Sequence, residues 1–217
     1  MNYEEMSNNV VELTGTIICQ PEFSHEVFGE GFYDSKISVK RLSEQCDEIP
    51  ITISERLLAE RELNIGDEVS IVGQFRSYNK MIGDRSKLML TVFVRDIMDK
   101  EDDVNPNLID ITGYVCKEPI YRVTPFKREI CDLLLAVNRA YNKSDYIPCI
   151  TWGRNARYIR NVGVGSKISI EGRVQSRIYQ KLLDNGETEE RVAYEVSVGK
   201  IDVLEEVLPD EHYVEGM

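Results

Sequence analysis

Two stretches of the chain interleave aromatic rings with apolar and cationic side chains at the spacing of a strand. Side chains alternate between the two faces of a strand. In residues 146–152, YIPCITW, Ile147, Cys149 and Thr151 share one face, and Tyr146, Pro148, Ile150 and Trp152 the other. Both faces are apolar, so the second needs a partner other than water. Along 166–179 the inward set reads Ile168, Ile170, Val174 and Ile178, which leaves Arg173, Gln175, Arg177 and Tyr179 on the opposite face. Rings interleaved with guanidinium groups suit unpaired nucleotides, because a base offers a π-face and its phosphate an anion. Stacking a base on an aromatic ring gives about 1–3 kcal/mol, and burying a large side chain roughly 1.5–3 kcal/mol, so energy alone does not separate a nucleobase from a protein partner. Trp152, the single tryptophan, reads as core by residue type and as a platform by its outward phase.

Other chemistries find little support. His25 and His212 are isolated, so no metal site is expected. The acids at 101–103 and 205–206 resemble paired catalytic carboxylates only in composition, and no G-x-x-x-x-G-K, H-E-x-x-H or G-x-S-x-G occurs. The expectation is a protein that is not an enzyme and needs no cofactor.

The elements that carry these residues are written twice. NVVELTGTIICQPE (9–22) aligns with NLIDITGYVCKEPI (107–120), and EIPI (48–51) with YIPC (146–149), both at an offset of 98. NIGDEVSIVGQFRS (64–77) then aligns with GVGSKISIEGRVQS, one residue later, which matches Gly66 to Gly165 and Gly73 to Gly172. So many matches in one order indicate duplication. The second copy predicts strands near 108–117, 130–139, 146–152, 166–179 and 191–203, with a short helix near 153–161. The Asn185-Gly186 turn joins the last two strands. Five strands with a helix between the third and fourth is the element order of an OB-fold barrel. The fold class is therefore all-β, two tandem five-stranded OB-fold barrels. Expected boundaries are 1–100 for the first repeat, 101–106 for an acidic linker, 107–205 for the second repeat and 206–217 for an acidic tail.

Over nearly all of 107–204 the second copy resembles the bacterial single-stranded DNA-binding protein family. The resemblance is carried by NLIDITGYVCKEP, CDLLLAVNRAY, YIPCITWGRNARYI, GSKISIEGRVQSRIY and YEVSVGKIDVL, in that order. It implies a non-enzymatic protein that coats single-stranded DNA in replication, recombination or repair, with weak sequence preference. The family's stacking aromatics fall on Tyr141, Tyr146, Trp152 and Tyr179, and its basic contacts on Arg139, Arg154, Arg173 and Arg177. The family usually assembles four single-barrel chains, so two-barrel chains imply a homodimer. It also usually ends in a long tail tipped by Pro-Phe, which this sequence lacks, so recruitment of replication or repair proteins through the tail is in doubt. The tail reads either as a solubilising segment or as a dock through Tyr213 and Val214. The alternative function is an OB-fold scaffold, or primosome-like accessory protein, that binds mainly protein.

At the positions matching the four aromatics the first copy has Ser43, Glu48, Ser54 and Lys80. It is expected to keep the barrel and lose the platform. Its own Phe28, Phe32, Tyr33 and Tyr78 read as loop contacts to a strand or as local packing. Charge follows the same division: net charge is −12 overall, about −10 over 1–104 and about −2 over 105–217. At physiological salt the Debye length is about 8 Å, so a bound strand feels nearby arginines more than acids a domain away. Arg154, Arg157 and Arg160 share a helical face that is either solvated or phosphate-facing. Leu57, Leu58 and Leu63 are expected to plug the base of the first barrel. The five cysteines form no C-x-x-C pair and read as reduced core residues. The N-terminus lacks a signal-peptide pattern and no window resembles a membrane span, so the expected location is cytoplasmic, associated with the bacterial nucleoid.

Overall fold

A computed structural model describes residues 8–41, 43–83, 85–100, 105–182 and 186–207. The first repeat runs β1 (Asn9–Ile17), β2 (Glu22–Val27), β3 (Glu30–Lys40), β4 (Cys46–Ser54), α1 (Glu55–Glu60), β5 (Glu68–Ile82) and β6 (Arg85–Asp99). The second runs β7 (Asn107–Val115), β8 (Ile120–Val123), β9 (Glu129–Arg139), β10 (Lys143–Trp152), α2 (Gly153–Ile159), β11 (Lys167–Leu182) and β12 (Thr188–Glu205). The OB-fold expectation holds, with one addition: in each repeat a short strand, β2 or β8, folds back as a hairpin on the strand that follows. Linker residues 101–104 and tail residues 208–217 lie outside the described residues.

Each barrel closes where its first strand reaches its third, Thr16 and Ile17 against Ser38 and Ile37, and Tyr114 and Val115 against Ala136 and Leu135. The matched glycines mark the tight points. A Cβ on Gly15 would sit 2.2 Å from the Ser38 carbonyl oxygen, and one on Gly113 2.8 Å from that of Ala136. Gly73 and Gly172 sit at equivalent bulges, where a Cβ would meet the Phe93 and Ser197 carbonyl oxygens at 2.5 and 2.4 Å. The repeat therefore keeps glycine where two backbones touch.

The alternation expected for β10 holds inward, with Ile147, Cys149 and Thr151 buried. Leu57 and Leu63 are buried in the first barrel's core and Leu58 packs against it, as a plug requires. Two inward readings need correction. Ile178 is 64% exposed, because β11 and β12 run on past the barrel as a two-stranded arm that has no core beneath it. Of the cysteines, Cys131 and Cys149 are buried but Cys46, at the start of β4, is exposed; all five are free thiols. No helix among the described residues is long and apolar enough to cross a membrane.

The two barrels form one twelve-stranded sheet, ordered β2-β3-β4-β6-β5-β1-β7-β11-β12-β10-β9-β8. At its centre β1 and β7 pair antiparallel, Asn9 opposite Ile111 and Leu13 opposite Asn107. Val11 faces Ile109, its own counterpart at offset 98. The pairing is thus self-complementary, a two-fold contact inside one chain. Thr14 N–H donates to the Pro106 carbonyl and Thr112 N–H to that of Asn8, both at 2.8 Å. Where β1 leaves β5, the Asn9 side chain continues the ladder by bonding the Phe75 N–H and C=O at 2.9 and 2.8 Å. Asn107 does the same with Val174 at 2.8 and 2.7 Å.

A second pair of ties flanks the axis. Asp47, fully buried, accepts from the Ser176 N–H at 2.7 Å, from Arg41 at 2.8 and 2.6 Å, and from Arg173 at 3.1 Å. Its counterpart Asp145, also fully buried, accepts from the Ser77 N–H at 2.7 Å, but its Oδ2 accepts no hydrogen bond and faces Arg139 at 3.5 Å. Burial raises the Asp145 carboxyl above its ordinary 3.8, against the pull of the Ser77 N–H, Arg139 and Arg76. A carboxyl raised on folding favours the folded state below its unfolded pKa, and that contribution disappears as pH rises through the folded value. Asp145→Asn should therefore flatten the part of the stability profile that falls as pH rises above 3.8, read from urea midpoints. Asp47→Ala, which leaves the Ser176 N–H without its partner and removes the carboxylate shared by Arg41 and Arg173, should cost about 1–3 kcal/mol in the same measurement.

Candidate nucleic-acid interface

β10 carries the outward row. Tyr146 and Trp152 are 45% and 40% exposed, with Pro148 half-buried between them. Ile150, expected on the open face, is instead buried. The row is therefore two rings separated by six residues, roughly 20 Å of strand. Tyr141 extends it at the β9–β10 turn, 86% exposed, where it and Asn142 both hold positive φ of 63° and 54°. Left-handed backbone is uncommon for a tyrosine and displays the ring at the hairpin tip. Tyr179 lies on the β11 arm, half-buried, with the Arg177 guanidinium 5.7 Å from its ring centre.

The four arginines have unequal surroundings. Arg154 is exposed on α2, two residues from Trp152. Arg177 is half-exposed and paired with Glu195 at 3.3 Å, which also accepts from the buried Gln175 at 2.7 Å; Gln175 had been expected on the open face. Arg173 and Arg139 belong to the seam between barrels. Arg173 shares Asp47 with Arg41, so that cluster of three keeps one positive charge. Arg139, on Asp145, lies beside Arg76, which burial, Arg139 and Arg95 push down to about 10. Both guanidinium groups are held by carboxylates and keep part of their surface in solvent.

The first barrel also positions the second one's row. Ser77 Oγ accepts the Tyr146 N–H at 2.7 Å, while its own N–H binds Asp145. Reciprocally, Ser176 Oγ accepts the Glu48 N–H at 3.2 Å. Counterpart positions thus have equal backbone support and different side chains. Where the second barrel has Trp152, the first has Ser54, whose buried hydroxyl caps α1 by accepting the Leu57 N–H at 3.4 Å. Trp152 occupies the same cap position on α2 and makes no side-chain cap bond; the chain turns there through Gly153 at φ 52°. The second barrel gives up a capping bond to put a ring on the surface.

The first barrel's outer face is occupied by its own side chains. Phe93 packs on Phe32 at 5.6 Å with Arg76 3.9 Å over its ring, and His25 stacks on Phe32 at 5.2 Å. Phe93 stands beside Thr52, as Ser197 stands beside Ile150. Thr52 is itself tied to Asp34 and Thr91 at 2.9 Å. Phe32 and Tyr33 therefore pack locally, Tyr33 edge-on to Phe23. Phe93 was missed by sequence reading, although its place in the strand after the glycine bulge was available as a signal. Ser43 and Lys80 are exposed. Among the described residues no group of His, Cys, Asp and Glu could hold a metal.

Residues 106–204 match the family described as the single-strand binding protein family. Single-stranded DNA-binding protein A of Bacillus subtilis is 33% identical over 81 residues, which cover 34% of this chain and 47% of that protein. The single-stranded DNA-binding protein of Halalkalibacterium halodurans is 29% identical over 106 residues, 46% of this chain and 61% of that one. The chain thus spans about half the length of the curated relatives it matches. The solved structure of a deletion variant of the single-stranded DNA binding protein from Thermus aquaticus superposes with a TM-score of 0.69 at 19% identity, over 94% of this chain and 97% of that one. That likeness covers both barrels and establishes the fold.

The cap exchange predicts that Ser54→Ala costs about 0.5–1 kcal/mol of stability through loss of the α1 cap. Urea unfolding at unchanged m-value would register it.

Proposed function

We infer that this chain, whose residues 106–204 match the single-strand binding protein family, binds single-stranded DNA through the outer face of its second barrel. The observation that carries this is the exchange of the cap serine for an exposed tryptophan on barrels with matched backbone support, since Trp152 makes no cap bond and stays 40% exposed. Tyr141, Tyr146, Trp152 and Tyr179 are assigned to bases. Arg154 and Arg177 are assigned to phosphates, with Arg139 and Arg173 supplying the positive field from their seats on the seam. The relatives are named for binding rather than catalysis, which favours a protein that coats DNA and leaves it intact. Stacking does not read base edges, so sequence preference should be weak.

In this reading 107–205 is the binding unit and 1–100 its support: the first barrel holds Tyr146 through Ser77 and Arg173 through Asp47. A homodimer would bring four barrels together, and the natural setting is the bacterial cytoplasm at the nucleoid, in replication, recombination or repair. The rival is a scaffold that binds protein; the self-packed face of the first barrel favours such a role for that half only.

Titration with oligo-dT, followed by Trp152 fluorescence, tests the reading. Quenching that weakens with salt, at a slope of about −0.7 per neutralised phosphate, supports it. An unchanged signal at every salt concentration, with no shift in a gel, would exclude it. Trp152→Ala and Tyr179→Ala should each lose about 1–3 kcal/mol of affinity, the first followed by anisotropy of labelled DNA, while Lys80→Ala should change little.

A further inference from the structure

The two ends of the sheet carry related arms of opposite charge. β2 and its turn read EFSHEVFGE, 22–30, and at offset 98 β8 and its turn read IYRVTPFKR, 120–128, after which β9 opens on Glu129, engaged by Arg157 at 3.1 Å. The first holds Glu22, Glu26 and Glu30 and no Lys or Arg; the second holds Arg122, Lys127 and Arg128 and no acid. Arg122 is paired with Asp132 at 2.8 Å, and among the described residues no ion pair engages Lys127, Arg128 or the three glutamates. Both tips expose the counterpart phenylalanines, Phe28 fully and Phe126 at 87%. Phe28-Gly29 forms a two-residue turn with both φ positive, while Thr124 to Arg128 close a wider turn around Pro125.

Both arms end in open edges. β2 and β8 are the terminal strands of the sheet, and all six residues of β2 are exposed. An open edge offers unpaired N–H and C=O groups to another strand. We propose that the acidic β2–β3 arm of one chain docks on the basic β8–β9 arm of a second copy, a head-to-tail contact that repeats along successive chains. The occupant is a second copy because the two arms are opposite in charge, and each brings an exposed phenylalanine and a free strand edge to the contact. A nucleic acid could use the basic arm alone, but it leaves unexplained why the acidic arm keeps Phe23, Val27 and Phe28 in solvent. Unlike the two-fold pairing of β1 with β7, a heterologous contact leaves a free arm at each end and so can extend.

Sedimentation of the full chain without DNA tests this independently of single-strand binding. At low salt, mass should rise with concentration beyond a fixed oligomer, and salt should reverse the rise. Glu22→Lys with Glu26→Lys should weaken the association roughly tenfold or more, as should Lys127→Glu with Arg128→Glu. Mixing the two variants, or combining all four substitutions, should restore it. Absence of concentration-dependent growth, or growth indifferent to either reversal, would overturn the proposal. Loss of oligo-dT affinity in the basic-arm variant, with no rescue by the acidic-arm variant, would assign that arm to nucleic acid instead.

Discussion

The antiparallel match between β1 and β7 is the contact on which the rest of the molecule depends. It sets Val11 against its own counterpart Ile109 and so imposes a two-fold relation on two barrels that differ in surface. Once that axis is fixed, the start of β4 must meet β11 and the start of β10 must meet β5. The buried carboxylates follow from this geometry. Asp47 and Asp145 each accept a backbone N–H from the opposite barrel, where an unpaired N–H would cost about 1–3 kcal/mol.

The same seam governs the electrostatics around β10 and β11. A carboxylate taken out of water needs cations, and the nearest are Arg41 and Arg173 at Asp47 and Arg139 at Asp145. Asp47 is fully served by Arg41, Arg173 and Ser176, whereas Asp145 keeps one oxygen without a hydrogen bond. The barrels therefore differ in how firmly their shared edges are held. The looser carboxylate lies next to Tyr146, whose N–H is anchored by Ser77. The first barrel's β5 and the second barrel's outward row thus share one hydrogen-bond network through Ser77.

The sequence made the duplication, the barrel order and the inward faces of β4 and β10 legible, because glycines at backbone contacts and period-two burial are local signals. It also fixed which copy holds the exposed rings, since Ser54 and Trp152 are aligned by EIPI and YIPC. What it hid came from long-range geometry. Gln175 and Ile150 are buried although alternation put them outside: Gln175 is tied to Glu195 on β12, and Ile150 lies between Asp132 of β9 and Ser197 of β12. Arg139 and Arg173 looked free because the aspartates that hold them come from a seam no single repeat contains. Phe93 escaped notice because the bulge, together with the longer hairpin of the second copy, moves the offset away from 98. The phenylalanine tips were aligned by the repeat all along, but only the open edges give them meaning.

Duplication explains why such asymmetry is tolerated. A single barrel that replaced its cap serine with tryptophan would lose roughly 1 kcal/mol and gain a surface ring. With two barrels joined through one axis, the capped copy also bonds the uncapped one across the seam, Ser77 to Asp145 and Tyr146 and Asp47 to Arg173 and Ser176. The capped copy is then free to fill its own outer face, and Phe93, Phe32 and Arg76 do so with rings and a guanidinium. That self-packing uses the same pairing of π-face and cation that the second barrel makes at its surface between Arg177 and Tyr179. The two halves thus apply one interaction in two settings, packed against the barrel in the first and at the surface of the β11 arm in the second.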